Sequence, residues 1–279
     1  MKNPIKDIKD IKDIKPIQEI KKIKKPKSFT FILYMCRLVF RGLILLTAVY
    51  LYFAHRDILV SFVRDDFLKT FDWRHVIWLI LMLGMIIHVL PAKFITMGSR
   101  KSLPKTYTEP TAHYDADELY RFVQIMNIEA WKVMLVWLCL NAAFAALYLL
   151  GVIGNAEMLI LTAIYFTSDL VCILIFCPFQ SLIMKNRCCV NCRIFDWGHF
   201  MMYTPMLFIK SFFSWSLFFM ACIVLIRWEV IYASHPERFW HGSNTTLQCE
   251  NCKDKICQIK QPLKEIYRHI SANIQEYLK

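Results

Sequence analysis

Glycine is scarce in this sequence, with only 7 residues among 279, and this excludes a glycine-rich fibrous protein. The motifs of several well-studied enzyme classes are also missing. The sequence has no phosphate-binding loop, no nucleophile elbow, no His-Glu-x-x-His motif and no internal repeat typical of transporters with two similar halves. It also has no nucleic-acid-binding motif, which argues against a nucleic-acid partner. Whether the protein is an enzyme is left open by these absences.

Apolar residues are abundant instead, and they are arranged in long blocks. Hydrophobic residues make up 57% of the chain, and the mean hydropathy is +0.38. Blocks of this length are typical of membrane spans. The net charge of +12 comes largely from basic residues that flank the blocks, where they meet anionic lipid headgroups. The fold class is therefore predicted as an all-α, polytopic helical bundle in contact with the lipid bilayer.

Four blocks are long enough to cross a hydrocarbon layer of about 30 Å. They run approximately over Phe29 to Ala54, Val76 to Phe94, Val133 to Ile153, and Met158 to Met184. The first block follows 28 polar residues and is too long for the apolar core of a signal peptide, so it is interpreted as a retained anchor. A fifth block, approximately Phe200 to Ile226, contains Pro205 and Lys210 and is predicted to be either a fifth span or a re-entrant hairpin.

The distribution of Lys and Arg predicts a multi-pass protein of the cell membrane with a cytoplasmic N-terminus. The loop after the first block fits this rule less well, because it carries Arg56, Arg64, Lys69 and Arg74. Three regions are expected: a disordered basic cytoplasmic tail (1–28), a membrane helical domain (29–232), and a cytoplasmic cysteine-containing tail with an amphipathic C-terminal helix (233–279).

Six of the eleven cysteines lie in two short clusters outside the apolar blocks. Each cluster contains a Cys-x-x-Cys pair, and two such pairs can supply the four thiolates of a tetrahedral zinc site. The predicted metal ligands are Cys189, Cys192, Cys249 and Cys252, with Cys188 and Cys257 as additional candidates. The following Arg193 and Lys253 would offset thiolate charge. An iron–sulfur cluster and thiol–disulfide chemistry are the alternatives. A shared site requires both clusters on one side of the membrane, and hence a hairpin in the fifth block.

Among the ionisable residues inside the apolar blocks, four are candidate site residues because they lie within reach of one another by depth: Asp169, Arg41, His88 and Lys210. An acid in mid-membrane is costly, so Asp169 is expected to face the bundle interior and to pair with one of the other three. It would be either a structural ion pair or part of a proton or ion relay. Asn141 is expected to bond between helices, and His199 to lie at the interface. Trp228, Tyr232 and Trp240 are expected to form an aromatic belt.

Three functional hypotheses follow from these patterns. The first is a non-enzymatic or accessory membrane protein whose cytoplasmic face is organised by a four-cysteine zinc site. The second is a membrane redox protein that uses an iron–sulfur cluster or thiol–disulfide exchange. The third is a transporter that uses Asp169 as an intramembrane acid.

Overall fold

The computed structural model describes residues 28–64, 67, 71–90, 101, 104–110, 114–186, 188, 191–252 and 256, and these residues form helices and turns without strands. The described residues contain seven α-helices: α1 (Phe29–Ala54), α2 (Arg56–Ser61), α3 (Trp73–Val89), α4 (Ala116–Leu149), α5 (Asn155–Leu174), α6 (Gly198–Tyr203) and α7 (Phe212–Ser234). The predicted basic tail and the amphipathic C-terminal helix lie outside the described residues.

The described helices confirm an all-α membrane bundle. Helices α1, α4, α5 and α7 are long and apolar enough to cross a membrane, while α3 has only 17 residues. The first block was predicted with the bounds that α1 has. The second block corresponds to α3, which is shorter than predicted. The second half of the fifth block lies in α7, which is long enough to cross a membrane.

Helices α1 and α5 run antiparallel. The end of α1 meets the start of α5, where Tyr52 Oη donates to Glu157 Oε1 at 2.9 Å. The starts of α3 and α7 and the end of α4 lie at this same end of the bundle, called the opposite end below. The end where α5 and α7 finish carries the described cysteines of both clusters and is called the cysteine end.

The fifth block forms a hairpin whose first limb is broken. This broken limb comprises a 3₁₀ turn (Phe195–Trp197), α6 and a second 3₁₀ turn (Thr204–Phe208), and α7 is the returning limb. Proline at 205 has no backbone N–H and favours the change of helix type. Ser211 then caps α7 by accepting from the backbone N–H of Ser214 at 3.2 Å.

The broken limb begins at the cysteine end, and α7 finishes there. Trp228 Nε1, near the end of α7, donates to the carbonyl of Arg193 at 2.9 Å, just before the broken limb begins. The limb itself is buried: Met202, Tyr203 and Met206 belong to the main hydrophobic core. Of the two predicted alternatives, the structure has the hairpin, with a returning limb long enough to cross a membrane on its own.

Sequence signals at the helix ends account for other bounds. Asp115 caps α4 by accepting from the backbone N–H of Asp117 at 2.9 Å, and α4 continues through the third apolar block as one helix of 34 residues. Helix α5 ends at Leu174, ten residues before the predicted bound at Met184. Pro178 follows, and a π-helical turn occupies Phe179–Ile183.

Acidic partners offset two of the four basic residues in the loop after α1. Arg56 pairs with Glu157, and Arg74 Nε lies 2.7 Å from Asp72 Oδ2 while its side chain is almost fully buried.

Candidate functional site

The described cysteines of the two clusters lie together at the cysteine end. Cys249 interacts electrostatically with both Cys188 and Cys252. Asn191 Nδ2, in the first cluster, donates to the carbonyl of Leu247, two residues before the second cluster, at 3.2 Å. These contacts connect the loop after α5 to the segment after α7. We call this assembly, residues 186–194 with 244–252, the cysteine cap.

A buried asparagine organises the second half of the cap. Asn244 is fully buried, its amide donates to the carbonyl of Arg238 at 2.9 Å, and its Oδ1 accepts from the backbone N–H of Thr246. The backbone N–H of Thr245 donates to the carbonyl of Thr108, so the polar loop before α4 also joins the cap. Cys249 and Cys252 share a tight turn in which the Cys252 N–H donates to the Cys249 carbonyl at 3.3 Å.

The cap is partly shielded from water, which affects the Cys249 thiol. Burial raises the pKa of Cys249, and the neighbouring Cys188 and Cys252 raise it further. In the absence of a cation the Cys249 thiol therefore disfavours deprotonation. A bound metal ion reverses this preference, because coordinating thiols are deprotonated.

Lys101 is a buried cation beside the first cysteine cluster, and sequence reasoning missed it. Its Nζ donates to the carbonyl of Cys192 at 3.0 Å, and its ammonium lies near the rings of Trp228 and Phe239. Burial lowers the pKa of Lys101 to about 8, and the charges of Cys192 and Cys188 oppose that shift. Nothing in the local sequence distinguishes this lysine from its neighbours in the loop.

Arg193 does not play the role predicted for it. Its guanidinium pairs with Glu229 of α7 through two hydrogen bonds and stacks 3.6 Å from the ring centroid of Tyr232. It therefore joins the loop to α7. A bidentate carboxylate is a better partner for a planar guanidinium than a thiolate is. Lys253 lies outside the described residues.

Metal coordination is not formed among the residues that the structure describes: no three His, Cys, Asp or Glu side chains lie close enough together to hold an ion. Two of the predicted ligands, Cys189 and Cys257, lie outside those residues. Cys192 is buried and lines a cavity inside the bundle, while Cys188 interacts with Cys249.

A second group of polar residues lies inside the bundle, around the predicted acid Asp169. Arg41 Nη1 lies 2.8 Å from Asp169 Oδ2 and 2.7 Å from the carbonyl of Phe166, and its guanidinium stacks on the Phe166 ring. Of the three predicted partners, the pair is thus made by Arg41. His88 lies on the wall of the same small cavity, whereas Lys210 is exposed in the turn before α7.

The cavity beside this pair has a volume of about 60 Å³ and is called the polar chamber below. His88 and His199 face each other there with ring centroids 4.3 Å apart. His88 Nδ1 lies 2.8 Å from the carbonyl of Gly84, whereas the buried Nδ1 of His199 has no hydrogen-bond partner within the described chain. His199, expected at the interface, is therefore an interior residue. The sequence signal for it was its position in Asp196-Trp-Gly-His199.

Gly198 allows the broken limb to approach Asp169 closely. A Cβ atom at this position would lie 2.4 Å from Asp169 Oδ1, a separation that real Cβ atoms do not show. The absence of a side chain thus brings Asp196 and His199 into the same chamber as the Arg41–Asp169 pair. Glycine is used here for close approach rather than for an unusual backbone conformation.

An apolar cavity of about 420 Å³ adjoins the polar chamber. It lies between α4, α5 and the broken limb, and Asp169, Gly198 and Met202 line both cavities. The remaining wall is mostly apolar, including Trp137, Ile164 and Phe176. Its volume is within the range of pockets that hold small molecules.

Other polar and aromatic predictions have different outcomes. Asn141 bonds within its own helix, to the carbonyl of Trp137 at 2.9 Å, rather than between helices. Trp228, Tyr232 and Trp240 are buried, and Trp228 and Tyr232 pack against Phe239. They do not form a lipid-facing belt, because the segment after α7 folds back and covers them.

No family model, no curated protein and no solved structure matches the chain. The cysteine cap and the polar chamber are thus the features from which function can be inferred.

Proposed function

We propose that this multi-pass membrane protein binds one zinc ion in the cysteine cap, and that the ion fixes the loop after α5 to the segment after α7. The role is structural or accessory rather than catalytic. The observation that supports this proposal is the hydrogen bond from Asn191 Nδ2, in the first cluster, to the carbonyl of Leu247, two residues before the second cluster, which brings the two cysteine-containing segments together. Four thiolates are the usual ligand set of a structural zinc site.

Cys249 and Cys252 supply two ligands of the proposed site from one turn. The first cluster supplies the other two ligands from Cys188, Cys189 and Cys192. Cys257, in the second cluster, is a further candidate. Lys101 supports an anionic site here, because four thiolates around Zn²⁺ leave two negative charges, and a buried ammonium beside Cys192 offsets part of them. We place the cap in the cytoplasm, where the Lys and Arg bias puts it and where cysteines stay reduced.

Metal analysis of the full chain, purified without oxygen, tests the proposal. We expect about one zinc per chain, and a loss of most of it in Cys249→Ser and Cys252→Ser, because each removes a ligand. Cys139→Ser is the matched control, since Cys139 is exposed on α4 away from the cap and should leave the zinc content unchanged. Iron with sulfide and visible absorbance would instead establish the iron–sulfur alternative, and a metal-free chain would contradict both metal sites.

Thiol labelling in intact cells tests the side on which the cap lies. A membrane-impermeant maleimide should modify Cys249 and Cys252 only after the membrane is permeabilised and the metal is chelated. Labelling of these residues from outside the intact cell would contradict the cytoplasmic placement while leaving the zinc measurement unaffected.

A further inference from the structure

The polar chamber contains more polar groups than the Arg41–Asp169 pair uses. Arg37, on the same face of α1, lines the chamber and stacks 5.4 Å from the ring centroid of Tyr34. Within the described part of the chain, no carboxylate lies at ion-pair distance from Arg37. His199 Nδ1 is also buried there without a hydrogen-bond partner. A buried ring nitrogen such as His199 Nδ1 normally has a partner.

The charge balance at the chamber favours an anion over a metal cation. Asp169 is neutralised by Arg41, and Asp196 lies within electrostatic range of Arg227 and Lys101. Two cationic side chains, Arg37 and Arg41, line the chamber together with the two acidic ones, and Arg227 and Lys101 add positive charge within electrostatic range of Asp196. A divalent cation would enter a region that is already positive, whereas an oxyanion would meet Arg37 in a site of low dielectric constant.

The neighbouring cavity indicates what the anion is attached to. The chamber alone, at about 60 Å³, has room for a few waters or a small polar group. Asp169, Gly198 and Met202 line both this chamber and the apolar cavity of about 420 Å³. A ligand that used both spaces would place an acidic group in the first and a hydrocarbon chain in the second.

We infer that the bundle binds a single-chain amphiphile with an oxyanion head group, a long-chain carboxylate or a long-chain phosphate monoester, with the head group at Arg37 in the polar chamber and the chain in the apolar cavity. Arg37 supplies the charge-assisted hydrogen bonds, and His199 supplies a further contact from Nδ1. Arg41 stays paired with Asp169 and keeps that carboxylate from repelling the ligand. This site is separate from the proposed zinc site.

Binding of chain-matched probes to the full chain in nanodiscs tests the inference. Hexadecanoate, hexadecyl phosphate and hexadecanol share the same chain length and differ in the head group. We expect one or both anions to bind at least about tenfold more tightly than the alcohol, as one to two charge-assisted hydrogen bonds provide. The anion that binds more tightly identifies the head group. Equal binding of the alcohol would overturn the inference.

Variants then locate the site. Arg37→Gln should remove the preference for the anions over the alcohol, whereas Arg37→Lys should retain it. Ile164→Trp should weaken binding of all three probes by filling the apolar cavity. Arg56→Gln, which removes the same charge at the opposite end, is the matched control and should behave as wild type. An anion preference that survives Arg37→Gln, or tight binding of inorganic phosphate without a chain, would overturn the proposed site.

Discussion

Helix α5 carries the carboxylates of two arginine–carboxylate pairs, one deep in the bundle with an arginine of α1 and one at the opposite end with an arginine of α2. In the deep pair, Arg41–Asp169, the side chains are 16% and 19% exposed. In the end pair, Arg56–Glu157, the arginine is 56% exposed, and Glu157 also accepts from Tyr52 and from the backbone N–H of Gly154. The same chemistry therefore occurs in two environments along one helix.

The difference shows that position decides what such a pair contributes. The charges of an exposed pair remain in contact with water, which screens their attraction, so the pair contributes little to stability. A buried pair repays a large desolvation cost only while both partners are present, so the loss of one leaves a charge without compensation. The Arg56–Glu157 pair holds a helix end in place, whereas the Arg41–Asp169 pair sets the electrostatics of the polar chamber.

Removing the deep carboxylate should have the largest effect. Asp169→Asn leaves Arg41 charged and without its anion, and we expect a loss of about 2–3 kcal/mol in the free energy of unfolding. Reversible unfolding in mixed micelles would measure it. The double variant Asp169→Asn, Arg41→Gln should recover part of this loss, since no buried charge then remains unpaired. A single variant as stable as wild type would show that Arg41 does not depend on Asp169 for charge compensation.

Crowding the deep pair without removing a charge should have an intermediate effect. Gly198→Ala places a Cβ against Asp169 Oδ1, and we expect a cost of about 1–3 kcal/mol as the carboxylate or the broken limb shifts. Gly84→Ala is the control, because nothing lies within 4 Å of its Cβ position in α3, and it should be neutral or slightly stabilising. Equal stabilities for the two variants would contradict the close approach.

Breaking the end pair should have the smallest effect. Arg56→Gln should cost less than about 1 kcal/mol, and the cost should shrink as salt is added, because the pair is screened by solvent. The same unfolding measurement at low and high ionic strength tests both statements. A salt-independent cost as large as that of Asp169→Asn would show that depth does not distinguish the pairs.

The parts of the fold that depend on local signals could be predicted from the sequence. Hydropathy alone gives the bounds of α1, Asp115 predicts the start of α4, and the cost of a mid-membrane acid predicts a partner for Asp169. Each of these signals lies within one segment of the chain. The pairing with Arg41 required only that two residues lie at a similar depth.

The parts that depend on contacts between distant segments could not be predicted. Lys101 is buried because three separate elements meet around it, and no feature of its own loop reports that meeting. The interior position of His199 depends on the approach that Gly198 allows. An apolar stretch has the same average hydropathy whether it forms one helix or a broken limb followed by a turn. The sequence therefore left the hairpin as one of two alternatives, and the contact between Trp228 and Arg193 distinguishes them.

Helix α4 is longer than a membrane is thick. Its 34 residues extend about 50 Å, whereas the hydrocarbon layer measures about 30 Å. Because α4 finishes at the opposite end, beside the start of α5, the excess of about 20 Å stands out at the cysteine end. Among the described residues, the first turns of α4 therefore project beyond the hydrocarbon layer at the cysteine end.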